Sequence, residues 1–345
     1  MKQKLILYLL LSVWMPVFLT GCFYEHPSLT EDGEWGTDPT AVTVMANFCL
    51  HLPMDAGTSE TVFLPEETGG YRQRVIVEAY LNRQLVAQEV TYAAIDRNVS
   101  DVTIPVEMEL HARNYQLAVW VDYIRTDTVA DLYYDTHTGG SLMHVIGNGS
   151  YVGNSAYKDV FCGCQELDLT PYAEQWNVSV LFDMTLARPV ARYELVANDV
   201  AQFLTRIEKS EIPGDEFTAR LIYTGYVPTG YNVIDGLPRQ SLMYIEYDKT
   251  FRASDLETGT DYVLAFDYVF PPEGDKSLPA RLEILSGEEV IAATNFNLSL
   301  SPGEAKTLIH AFLTASPDGG VVFDPDYDGE VDIDVPGIID TVGDK

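Results

Sequence analysis

The nine residues Asp324 to Asp332, DPDYDGEVD, have the spacing best suited to chemistry in this 345-residue chain. Carboxylates at Asp324, Asp326 and Asp328, then Gly329 and Asp332, match the first half of a calcium loop, where alternating oxygen ligands and a glycine turn wrap a hard cation. The twelfth position, which should supply a bidentate glutamate, is Val335, and the flanks do not read as helices. An acidic turn between two short strands is the favoured reading, and these four aspartates stand only as weak metal candidates.

Other reactive groupings are sparse. The sequence contains no HExxH, no GxSxG and no GxxxxGK[ST], so neither a zinc hydrolase, a serine hydrolase nor a phosphate-cradling loop is indicated. The six histidines, His26, His51, His111, His137, His144 and His310, show no paired spacing. With 52 acidic residues, chance carboxylate pairs carry no information, and an enzyme needs a converging set of groups. The expectation is a non-enzyme with no cofactor. Cys49 lies in an alternating apolar run and reads as a buried thiol. Cys162 and Cys164 are too close in sequence for an unstrained mutual bridge. A bridge from Cys49 to one of them is left open.

Cys22 is different. Lys2 and Lys4 precede an uncharged apolar run from Leu5 to Leu19, and Thr20 and Gly21 lead into the cysteine. This is the layout of an export signal, and the run is shorter than the roughly 20 residues that span a bilayer as a helix. Leu19-Thr20-Gly21-Cys22 resembles the lipobox of bacterial lipoproteins. That resemblance implies removal of residues 1–21 and acylation of Cys22, whose two or three chains would make a lasting tether to the outer membrane at the cell surface. Residues 22–40, rich in acid, Gly and Pro, read as a flexible spacer.

The elements that must carry these residues are strands. Val42, Val44, Ala46, Phe48 and Leu50 share one face of an alternating run; so do Leu117, Val119, Val121 and Tyr123, and Val178, Val180, Phe182 and Met184. Later runs at 217–223, 243–247 and 262–268 repeat the pattern of half-buried antiparallel strands. One helix is expected, behind Asn198-Asp199, with a stripe at Val200, Phe203, Leu204 and Ile207. The fold class is therefore all-β, two tandem β-sandwiches with one short helix. The N-terminal sandwich is placed at 41–172 and the C-terminal one at 173–328, with the junction in the polar gap at 170–176; position 187 is nearly as defensible. Residues 329–345 form an acidic tail in which Val331, Ile333 and Val335 alternate as an added strand would. A net charge of −31 repels nucleic acid and anionic lipid, so no nucleic-acid partner is expected.

Several stretches together resemble the fimbrillin-like lipoproteins of Bacteroides-type bacteria. They are Ala118 to Tyr123 with Asp131 to Tyr134; Tyr157 to Gly163, similar to a family YRDAFYG stretch with Cys162 at its Tyr; Arg188 to Glu194; Tyr223 to Val233; and Thr307 to Thr314 followed by Gly319 to Tyr327. The resemblance implies two transthyretin-like sandwiches in a fimbrial or adhesive lipoprotein. Related pilins lose their first strand by cleavage after an arginine, and a neighbour's strand fills the groove. Strand addition of this kind joins partners through backbone groups at a sheet edge. Here no Arg or Lys lies between Cys22 and Tyr71, and Arg72 and Arg74 follow a full strand. That departure suits an anchor or base subunit better than a polymerising stalk. The alternative is a surface glycan-binding accessory lipoprotein, whose sugar platform would be the Tyr-rich loops at 131–134 and 223–231.

Overall fold

Alternation in the sequence becomes strand nearly throughout the computed structural model, which describes residues 42–53, 70–94, 101–137, 140–274 and 277–320. In chain order the strands are β1 (Thr43–Pro53), β2 (Tyr71–Leu81), β3 (Gln84–Ala93), β4 (Asp101–His111), β5 (Asn114–Arg125), β6 (Tyr134–Asp135), β7 (Ile146–Gly147), β8 (Phe161–Asp168) and β9 (Val178–Thr185). After β10 (Ala191–Ala197) comes α1 (Val200–Glu208). The chain continues through β11 (Glu216–Tyr223), β12 (Val227–Asn232), β13 (Leu237–Leu242), β14 (Ile245–Arg252), β15 (Tyr262–Val269), β16 (Leu278–Ser286), β17 (Glu289–Leu298) and β18 (Ala305–His310).

Two sandwiches of the same design result. In the first, sheet β4-β1-β9 packs on sheet β3-β2-β5-β8; in the second, sheet β15-β10-β18 packs on sheet β14-β11-β16-β17. Each has a central first strand that runs antiparallel to one neighbour and parallel to the last strand of its unit: β1 between β4 and β9, β10 between β15 and β18. The correspondence extends past the last strand. The chain leaving β9 bonds across to β8 at Cys162 and Ala187, and the chain leaving β18 bonds across to β17 at Ala293 and Ser316.

The pairing of β9 with β1, from Val44–Val178 to His51–Thr185, corrects the expected junction at 170–176. That polar gap holds a 3-10 turn, Thr170–Tyr172, inside the first sandwich, which runs on to Thr185; the crossing to the second lies near 187. Within β1 the apolar face expected from the sequence is buried, Val44, Ala46, Phe48 and Leu50 being at most 1% exposed. Cys49 takes the opposite phase and is only half-buried, so it is not the core thiol the sequence suggested. Across the sheet it stands opposite Pro105 and Asp183.

α1 forms where its stripe predicts, with Val200 and Phe203 buried and Leu204 and Ile207 packed beside them. Asp199 does not cap it through its side chain. Its carboxylate instead accepts from the backbone N–H of Leu313 (3.2 Å) and of Thr314 (2.7 Å) and from the Thr314 hydroxyl (2.7 Å), tying the chain after β18 to the start of the helix.

Candidate functional site

β2 and β5 depart from the half-buried pattern. Val75, Val77, Leu117, Val119 and Val121 fill the first core, while Ile76, Tyr80, Ala118 and Trp120 on the reverse face are buried too. A third apolar cluster covers that reverse face, formed by Tyr134, Leu142, Val145 and Val160 from the long β5–β8 connection and by Val190, Val233 and Phe270 from the second unit. Sheet β3-β2-β5-β8 is thus a middle layer, and burying both faces removes more apolar surface from water than a two-layer unit would.

Aromatic rings set the seam's geometry. Trp120 meets Tyr134 edge-on at 5.4 Å, Tyr134 meets Phe270 at 5.8 Å, and Tyr231 stacks on Phe270 at 5.3 Å and 14°. Backbone bonds cross between the units: Val145 N–H donates to Tyr231 O at 3.1 Å, Tyr231 N–H returns to Val145 O at 2.8 Å, and Val233 N–H donates to Leu142 O at 3.0 Å. Gly230 permits this approach, since a Cβ there would lie 2.6 Å from Val145 O and 3.0 Å from Arg239 O.

Buried ions fasten the same layer. Arg74 reaches Asp122 with Nε to Oδ1 at 2.9 Å and Nη2 to Oδ2 at 2.5 Å, and its Nη1 reaches Asp131 at 2.6 Å. Burial alone would lower the Arg74 pKa, but Asp122 and Asp131 outweigh it and keep the guanidinium charged. Glu78 accepts from the Tyr80 hydroxyl, from Gln88 Nε2 at 2.7 Å and from Leu142 N–H at 2.8 Å, pinning the β5–β8 connection onto β2. From that connection Lys158 enters the second unit and pairs with Asp267 on β15. The other oxygen of Asp267 accepts from the hydroxyls of Tyr151 (2.5 Å) and Tyr223 (2.9 Å). Burial lowers the Lys158 pKa against the opposing pull of Asp267, and raises those of Tyr151, Tyr193, Tyr223 and Tyr247 well above the phenol range.

Arg74 is thus paired with Asp122 and Asp131 inside the first unit, while the Lys158–Asp267 pair crosses between the units. Among the described residues no group of three or more His, Cys, Asp or Glu side chains is placed to hold a metal ion, and no helix is long and apolar enough to cross a membrane. Cys22, the aspartates Asp324, Asp326, Asp328 and Asp332, and the tail 329–345 lie outside the described residues. The bridge left open for Cys49 is not formed: Cys49, Cys162 and Cys164 are free thiols, with Cys49 on the opposite sheet from β8 and its face turned away from the core.

The two Tyr-rich loops are brought together, though most of their rings are spent on packing. Tyr134 and Tyr223 are buried, and Tyr231 stacks in the seam. Tyr133 takes a hydrogen bond from Ser155 at 2.9 Å, and Tyr226 remains 66% exposed. Sequence reasoning treated Arg74 only as a cleavage point and assigned no role to Asp122, Lys158 or Asp267. For Asp122 and Asp267 the signal was present, since each is a lone charge inside an apolar strand run, which is costly unless a partner waits inside; Lys158, in a turn beside Asp159, carries no such signal.

A family profile matches residues 39–338 under the description "Family of unknown function (DUF6562)". The chain belongs to that family. No curated protein matches it. Among solved structures it is similar to a protein from Bacteroides ovatus described provisionally as an adhesin, at 13% identity and a TM-score of 0.41, covering 81% of this chain and 92% of that one. It is also similar to the fimbrial anchor protein Mfa2 from Porphyromonas gingivalis, at 9% identity and a TM-score of 0.36, covering 73% and 82%. The tip fimbrial protein Mfa3 of the same organism matches at 12% identity and a TM-score of 0.35, covering 75% and 82%.

Proposed function

We propose that this DUF6562 protein is a surface subunit of fimbrial or adhesive type, tethered to the outer membrane through acyl chains on Cys22 and placed at the base of an assembly. The observation that carries the base role is the position of β1. It lies in the middle of its sheet, paired along its length with β4 on one side and β9 on the other, so the groove that a partner's strand would need is already filled by this chain. Freeing β1 by cleavage after a basic residue would require Arg72 or Arg74. Arg74 is 1% exposed and held by two carboxylates. Arg72 donates to Thr128 O at 3.1 Å and lies over the Tyr92 ring at 4.0 Å. Partners would instead add to outer sheet edges, where β4, β9, β15 and β18 have no second strand neighbour among the described residues.

Mass spectrometry of the mature amino terminus on cells tests this reading. A triacylated or diacylated Cys22 is expected. An unlipidated chain starting at Val75 or nearby would overturn the base assignment.

A further inference from the structure

One cleft in the seam is built differently from its surroundings. Tyr133 and Asn148 from the first unit and Thr229 and Gln240 from the second line it, together with Ser150 and the Tyr268 ring. The two loops that the sequence offers as sugar platforms, 131–134 and 223–231, therefore meet here. On a chain with 52 acidic residues, no Asp or Glu among the described residues lines this cleft, and the one cation among them that does, Lys158, is consumed by Asp267.

Hydrogen-bonding capacity is left over in this cleft. Asn148 spends both amide protons on Asp131 O (2.9 Å) and Leu132 O (3.1 Å), which fixes its Oδ1 as an acceptor. Ser150 and Gln240 are exposed and make no side-chain hydrogen bond among the described residues. Thr229 is 7% exposed, and its hydroxyl is likewise unpaired within the described protein without being sealed from solvent. That hydroxyl opens onto the cleft, so its partner is whatever fills the cleft, water or ligand.

We infer that the cleft is a subsite for one neutral sugar ring. Its water-accessible volume is about 70 Å³, under half of the roughly 150 Å³ that encloses a benzene, so the open cleft takes the edge or face of one ring and no more. A divalent cation would need carboxylates, and an anion would need an uncommitted positive charge. An extended peptide would need a longer groove. Aromatic walls with a few fixed neutral donors and acceptors suit a polyhydroxylated ring with an apolar face. The site takes side chains from both sandwiches, so it exists only while the seam is closed. It is independent of the Cys22 tether, and each idea can fail without the other.

Ligand-observed saturation-transfer NMR tests it, using the mature lipidated protein in a detergent without a sugar headgroup. Galactose, mannose, fucose and N-acetylglucosamine are the probes, with N-acetylneuraminic acid as the charged control. Transfer to at least one neutral sugar is expected, with none to the control. The double variant Thr229→Val and Gln240→Leu removes the unpaired groups while keeping shape, and binding should weaken about tenfold or more at an unchanged melting temperature. Tyr226→Ala, outside the cleft lining, should bind like the parent. The inference is overturned by absence of transfer to all four sugars, by binding that persists in the folded double variant, or by binding that depends on Tyr226 instead. If the double variant does not fold, Ser150→Ala, at an exposed position, takes its place under the same criteria, with a severalfold weakening expected.

Discussion

Lys158 and Asp267 form an ion pair across the two sandwiches at 6% and 0% exposure. Lys158 leaves the first unit on the turn Ala156–Lys158; Asp267 belongs to the second unit's sheet β15-β10-β18 through β15. Nearby, Asn154 bonds Phe266 in both directions, its N–H to Phe266 O at 3.0 Å and its Oδ1 from Phe266 N–H at 2.9 Å. The connection between β7 and β8 thereby acts as a strap over the neighbouring sheet.

Removing one member of the pair should be costlier than removing both. Lys158→Met strands a buried carboxylate, and a loss of about 3–5 kcal/mol is expected. Lys158→Met with Asp267→Leu should recover a large part of it. Urea unfolding gives both numbers. The parent should unfold in one transition, and Lys158→Met should broaden or split it as the strap loosens. An unchanged midpoint in the single variant would mean that the pair contributes nothing to joining the units.

Acid should act through Asp131. Burial pushes its pKa up, but hydrogen bonds from His137 (2.9 Å) and Arg74 (2.6 Å) outweigh that and hold it below the ordinary carboxylate value. A folded pKa beneath the unfolded value of about 3.9 gives stability that is complete above that value and is lost as pH falls through the folded one. Asp131→Asn should therefore be less stable than the parent at pH 7, with the difference shrinking below about pH 4. Unfolding midpoints from neutral to strongly acidic pH check this. Parallel curves would remove Asp131 as the source.

The sandwich strands were readable because alternation directly reports one buried face, and β1, β5 and β9 lie where the pattern puts them. What could not be read was the second buried face. Trp120 and Asp122 sit in the phase that a bare sandwich would turn to solvent; the β5–β8 connection and the second unit cover Trp120, and Arg74 on β2 holds Asp122. The junction was misplaced for a related reason: β9 looks like the start of a new run, while its partner, β1, lies more than a hundred residues earlier, and parallel pairing leaves no local turn signal. Asp199 shows the same limit at smaller scale, since its residue type is right for a helix cap but Thr314, distant in sequence, claims the carboxylate.

Gly230 should be intolerant of any side chain. Its neighbours on the Cβ side are backbone atoms of Val145 and Arg239, which cannot move aside as a flexible side chain would. Gly230→Ala should cost about 1–3 kcal/mol and separate β12 from the Leu142–Val145 segment. Hydrogen exchange reads this at the Val145, Tyr231 and Val233 amides, which should lose protection before the amides of β1. Uniform loss across the chain would indicate global destabilisation instead.

The three described thiols should differ in reactivity. Burial pushes the Cys162 pKa up to about 12, and the Cys164 thiol is raised too, less completely buried. Reaction needs the thiolate and access. Iodoacetamide at mildly alkaline pH should label Cys49 first, Cys164 more slowly, and Cys162 only after denaturant. Peptide mass mapping follows each site, and rapid labelling of Cys162 in the folded protein would show that the seam opens readily.

Retention of β1 leads to a prediction about proteolysis that needs no partner. Trypsin requires an extended, accessible segment around its arginine. Arg125 ends β5 with a side chain 55% exposed and is followed by the irregular, largely exposed segment 126–130, whereas Arg74 is buried within β2, between β3 and β5. The folded protein should be cut after Arg125 and at other exposed basic residues outside the strands well before any product begins at Val75. Asp122→Ala removes the bidentate partner and leaves the guanidinium buried with Asp131 alone, so local opening of β2 becomes easier and the Val75 product should appear earlier. If the parent yields Val75 as fast as the variant does, then burial of Arg74 does not protect that bond, and a protease would have a route to releasing β1 from whatever Cys22 holds.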